Sequence, residues 1–86
     1  MNTITAEVAL YPQKTDNASE IINRSVEAID KTQVKCQVND MNTRITGSNL
    51  NVFNSLKDLF QEAEANSPEV NMVVTITNAA EDESGL

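Results

Sequence analysis

The stretch Asn39-Asp40-Met41-Asn42-Thr43 gathers two amides, a carboxylate, a thioether and a hydroxyl into five residues. Asn and Asp tolerate left-handed turn geometry, so Asn39 and Asp40 read first as the turn between two strands. Met41, Asn42 and Thr43 bring more than a turn needs. Joined by Tyr11 at the end of an earlier strand, these residues offer an amphipathic ring, an acidic acceptor at Asp40, and amide and hydroxyl groups at Asn39, Asn42 and Thr43. Met41 supplies an adaptable apolar wall. Such a set suits a planar nitrogen heterocycle, whose amino group donates while its ring nitrogens accept. A plainer reading has Met41 covering the core and Thr43 merely starting a strand. Periodicity alone leaves both open.

Other chemistry is scarce. The chain has no histidine, so the usual general base at neutral pH and the usual zinc ligand are both missing. One cysteine, Cys36, can form neither an internal disulfide nor a metal framework, and its place between Val34 and Val38 reads as a small buried hydrophobe. Acid and base work by carboxylates would need two of them in one concavity with separated pKa values. Glu62 and Glu64 fall on different sides of a helix, and Glu81, Asp82 and Glu83 fall in the tail. Gly47 alone makes no phosphate loop. No catalytic residue, metal ligand or cofactor is expected.

The elements that must position the rim are set by alternation and helical spacing. In "TITAEVALY", Ile4, Ala6, Val8 and Leu10 share one face of a strand; Thr5, Glu7, Ala9 and Tyr11 share the other, and Pro12 ends it. A helix is predicted after Asp16 or Asn17, with Glu20 as a capping-box partner of Asn17 and Ala18, Ile21, Ile22, Ser25, Val26 and Ile29 on its core stripe. "QVKCQVN" and "TRITG" are the next two strands. Ser48 or Asn49 caps a second helix whose stripe holds Val52, Phe53, Leu56, Leu59, Phe60 and Ala63, both phenylalanines being read as core. Pro68 stops it. In the last strand, "VNMVVTITN", Val70, Met72, Val74 and Ile76 face one way while Asn71, Val73, Thr75 and Thr77 face the other.

The order βαββαβ predicts an α+β fold of ferredoxin-like, split-βαβ type: a four-stranded antiparallel sheet with two helices on one face. Residues 1–78 form the domain and 79–86 an acidic tail expected to be disordered. The first strand ends where the third begins, so Tyr11 and Thr43 should meet at one rim. The open sheet face, with Thr5, Glu7, Ala9, Tyr11, Val73, Thr75 and Thr77, is neither oily enough for core nor charged enough for plain solvent. It should pair with a second copy, giving a homodimer or a dimer of dimers.

Thirteen acidic residues against six basic ones give a net charge of -7, which opposes nucleic-acid backbones. Neither the alternating N-terminus nor any later segment resembles a signal or membrane span, and the unpaired thiol suits a reducing compartment, so the expected location is cytoplasmic.

The strand ending "VALYP", the hairpin "NDMNTRITG" and the helix "NVFNSLKDLF" resemble the thiamine- and hydroxymethylpyrimidine-binding family, the YkoF-like proteins, across about residues 3 to 78. Members have a first strand ending in a Ser-Leu-Tyr-Pro type motif, a hairpin like Asp-Met/Val-x-Thr and a Gly before the second helix. The resemblance implies a ferredoxin-like fold, pairing through sheets, and binding of thiamine or its pyrimidine portion without turnover. It implies that Asp40 and Thr43 hold the aminopyrimidine through hydrogen bonds, while Met41 and Tyr11 supply apolar walls. Asn42 is left free by the motif. Ala9 replaces the serine of many members, the second helix lacks a His that several relatives carry, and no basic residue comes after the last strand. Two alternatives of other classes stand beside this: a scaffold or regulatory module acting through its open sheet, and an acylphosphatase-like enzyme. The latter has only Lys14, and no arginine, in "LYPQKTDN".

Overall fold

In the computed structural model, which describes residues 3–39 and 42–79, the chain forms strand β1 (Thr3–Gln13), helix α1 (Ala18–Glu27), β2 (Lys35–Val38), β3 (Thr43–Ser48), α2 (Asn49–Asn66) and β4 (Glu69–Thr77). The sheet order is β2-β3-β1-β4, antiparallel throughout, with both helices packed on one face. This is the α+β, ferredoxin-like arrangement that the element order requires.

Alternation along β1 builds the core. Ile4, Ala6 and Val8 are buried beside Ile45 of β3, and against them pack Val26 of α1 and Val52, Leu56 and Leu59 of α2. Removing such side chains from water, at about 25 cal/mol per Å² of apolar surface, is the main force holding helices to sheet. Two serines sit on these helical stripes without penalty because each returns its hydroxyl to its own helix. Ser25 Oγ donates to the Ile21 carbonyl at 2.7 Å, and Ser55 Oγ to the Asn51 carbonyl at 2.9 Å.

The two helix starts differ. The Ser48 hydroxyl accepts from the Asn51 N–H at 3.1 Å, a true N-cap for α2. Asn17 precedes α1 without a side-chain capping bond, so the capping box with Glu20 does not form; instead its own N–H donates to Thr15 Oγ1. At the other end of α1, Lys31 Nζ donates to the Val26 carbonyl at 2.8 Å and the Ile29 carbonyl at 3.3 Å, placing a cation on the negative end of the helix. Gly47 is closely packed: a Cβ there would stand 3.0 Å from Val34 Cγ1 and 3.4 Å from the Gln33 carbonyl oxygen, so Val34 would have to give by a few tenths of an ångström.

Several predicted core positions are not core. Phe53 is 54% exposed because it lies on the flank of α2, beside the stripe. Val38 and Ile76 share faces with buried neighbours but are exposed, since each belongs to an edge strand near its end. Conversely Thr5, on the open face, is buried between Thr46 and Thr77, with its hydroxyl 3.2 Å from that of Thr46. Apart from Ala79, the acidic tail lies outside the described residues.

Candidate functional site

At the end of the sheet where β2 gives way to β3, the helices and strands diverge and leave a pocket of about 80 Å³. Its floor is the core itself: Val8 and Leu10 from β1, Ile22 and Val26 from α1, and Leu59 from α2. Its polar rim is Asn39, Asn42 and Thr43, with Val38 at the side. An apolar floor with a few convergent polar groups is the usual build of a small-molecule site. The volume is about half of the roughly 150 Å³ that holds a benzene ring. A six-membered ring would therefore enter partway and leave its substituents at the mouth.

The rim is organised by the turn. Asn39 N–H donates to the Asn42 carbonyl at 2.8 Å, and Asn39 Nδ2 donates to Asn42 Oδ1 at 3.3 Å. These two bonds leave the Asn39 side-chain oxygen and the Asn42 amide nitrogen with no hydrogen bond to another described residue, one acceptor and one donor side by side. Thr43 is buried, lines the pocket, and its hydroxyl also has no hydrogen-bond partner among the described residues. No ionisable side chain of the described residues lines this pocket. The described part of the lining offers a charged group no ionic partner.

Of the residues that the sequence points to, Asn39 and Thr43 come together at this mouth. Asp40 and Met41 lie outside the described residues. Tyr11 does not join them. The register pairs Val8 with Thr43, so β1 runs on past the start of β3 and Tyr11 pairs with Asn71 of β4. Three residues of strand, about 10 Å, separate the two positions, and odd parity turns Tyr11 to the open face while Thr43 faces the helices. Asn42, which the motif leaves free, is a rim residue. Ile22, Val26 and Leu59 are legible in the sequence only as core, because a pocket floor made of core side chains carries no separate pattern.

Elsewhere, Asp30, Gln33, Asn51, Asn54, Ser55 and Asp58 line a shallow polar concavity, but it has no apolar floor. Among the described residues no group of three or more His, Cys, Asp or Glu side chains could hold a metal ion. Cys36 is half-buried; burial pushes its thiol up, against a smaller opposite pull from Lys31. Lys14, singled out for a phosphate site, forms an exposed ion pair with Glu69 at 3.1 Å. Among the described residues no helix is long and apolar enough to cross a membrane.

Fold and pocket together define a small ferredoxin-like domain with one solvent-facing sheet surface and an amide-rimmed mouth between sheet and helices. The chain belongs to the YKOF-related family, whose sequence profile matches residues 3–80. Solved structures with the same fold include a Thermotoga maritima protein provisionally assigned to thiamine biosynthesis or salvage, at 21% identity and a TM-score of 0.75, covering 96% of this chain and 86% of that one. A hypothetical protein from Methanocaldococcus jannascii, also at 21% identity, superposes with a TM-score of 0.82 over 96% of this chain and 87% of its own. A Streptococcus pneumoniae protein at 16% identity gives 0.80 over 87% and 84%. At these identities the likeness is one of fold. No curated protein sequence matches the chain.

Proposed function

We propose that this protein binds thiamine or its hydroxymethylpyrimidine portion without transforming it, in the cytoplasm, as a homodimer or dimer of dimers joined through the open sheet face. The observation that carries the reading is the Asn42 amide donor and Asn39 amide acceptor, neither bonded to another described residue, above an apolar floor. An aminopyrimidine presents an exocyclic donor next to a ring-nitrogen acceptor, the pattern that asparagine amides pair with when they read adenine. The neutral ring would sit over Val8, Leu10 and Leu59, while the cationic portion of thiamine stays at the mouth in water. Membership of the YKOF-related family supports this, as does the assignment of the Thermotoga maritima protein, which concerns that protein and lends the idea of a thiamine link. With no histidine in the chain and no paired carboxylates at the mouth among the described residues, nothing there calls for turnover.

Titration calorimetry with thiamine and with hydroxymethylpyrimidine tests the reading. Both should release heat with similar affinity, because the shared ring fills the pocket. A flat titration with both at millimolar concentration would sink it. A second reading, a scaffold or regulatory module with no small ligand, draws on the exposed Tyr11 and Val73 of the open face. It predicts that flat titration together with specific capture of a protein partner that Tyr11→Ser abolishes.

A further inference from the structure

The amide pair at the mouth does not by itself choose between heterocycles. An aminopyrimidine offers a donor beside a ring-nitrogen acceptor, and adenine offers the same pattern. Asn39 and Asn42 can bond either ring, so whatever separates a one-ring from a two-ring ligand must lie beneath them. The space there is about 80 Å³, against the roughly 150 Å³ that holds a benzene ring. Room for a second, fused ring is what the pocket lacks.

The five apolar side chains of the floor are not equivalent. Val8, Val26 and Leu59 belong to the buried cluster, and Leu10 packs against it. Shortening any of these would open a cavity in the core as well as in the pocket. Ile22 lines the same pocket but is only half-buried and, among the described residues, stands outside that cluster. Its position on α1 gives the reason. Ile21, Ser25 and Val26 form the buried stripe of this helix, and Ile22, about 100° around from Ile21, falls on the flank of the stripe, one turn before Val26. A side chain on that flank fills pocket volume while contributing little to holding helix against sheet.

On the aminopyrimidine reading, on which this rests, we infer that Ile22 sets the size limit of the site and restricts it to single-ring heterocycles. Its branched side chain occupies volume that the second ring of a purine needs, so a purine is rejected by a clash and not by a missing hydrogen bond. Alanine at this position frees that volume. Phenylalanine closes the pocket to both rings.

Titration calorimetry with hydroxymethylpyrimidine and with adenine tests this on the parent protein, Ile22→Ala and Ile22→Phe. Because one methylene of misfit in an apolar pocket is worth about tenfold or more, the parent should bind the pyrimidine at least about tenfold more tightly than adenine, and Ile22→Ala should bring the two within about threefold. Ile22→Phe should weaken the pyrimidine about tenfold or more, with a urea midpoint near the parent's, because the position is half-buried. A parent that binds adenine at least as tightly as the pyrimidine, or an Ile22→Ala protein that keeps the parent's preference, would overturn the role of Ile22 and leave pyrimidine binding standing. Should Ile22→Ala fail to fold, an Ile22→Phe protein that binds the pyrimidine as the parent does would overturn it in the same way. Failure of the parent to take up either ring would overturn the aminopyrimidine reading itself, and the size limit with it.

Discussion

Thr43 stands directly opposite Val8 in the β1–β3 ladder, and both face the helices. Tyr11 stands opposite Asn71 on the other side of the sheet. The pocket lining and the open surface are thereby divided between the faces, and the two residues should respond separately. Thr43→Val keeps shape but removes a hydroxyl; losing one hydrogen bond to a bound aminopyrimidine, about 1–1.5 kcal/mol, weakens binding roughly tenfold. Tyr11→Ser should leave affinity within about twofold and instead loosen self-association. Calorimetry reads the first and sedimentation equilibrium the second. Equal losses of affinity in both variants would contradict the division.

The Asn39–Asn42 amide contact makes a sharper prediction. Asn42 lines the pocket and offers the donor, so Asn42→Ala should reduce affinity at least as much as Thr43→Val. Asn42→Asp should be worse than Asn42→Ala for a neutral pyrimidine, because a carboxylate replaces the donor and must be desolvated. If Asn42→Ala binds like the parent protein, the amides belong to the turn alone.

Period-two alternation makes β1 readable to Leu10, and helical spacing makes Ile21, Val26, Val52, Leu56 and Leu59 readable as core, because burial on one face leaves its mark at every turn. Spacing carries no record of how far a stripe extends around a helix or how well an edge is covered. Phe53 and Ile76 are exposed for that reason, although spacing assigns both to the core. Tyr11 falls away from the rim because strand lengths and register, eleven residues in β1 against six in β3, arise from pairing between segments far apart in the chain. The turn residues are visible as chemistry, but the floor beneath them is indistinguishable from ordinary core.

Helix capping offers a control on local stability. Ser48→Ala removes the bond to the Asn51 N–H and should cost about 1 kcal/mol. Asn17→Ala removes no capping bond and should cost well under half of that. Urea denaturation of both variants decides it; matching losses would mean that Asn17 caps α1 in solution.

The pH dependence of stability has a readable contribution at Asp30. Its carboxylate accepts from Thr32 Oγ1 at 2.6 Å and from the Thr32 N–H at 3.0 Å, and these bonds, the hydroxyl first, hold its pKa below the usual carboxylate value. A group whose pKa is depressed on folding stabilises the folded state above its unfolded pKa, near 3.9 for Asp, and loses that contribution as pH falls through the folded value. Asp30→Asn should therefore be less stable than the parent at pH 7, and the gap should narrow as pH falls below about 3.9. The site is fully exposed, so salt and water keep the effect small. Urea midpoints of the two proteins measured from pH 7 to pH 3 should converge at the acid end. A gap that stays constant across the range would show that the Asp30 charge contributes nothing, and that the turn depends on the side-chain oxygen that asparagine also supplies.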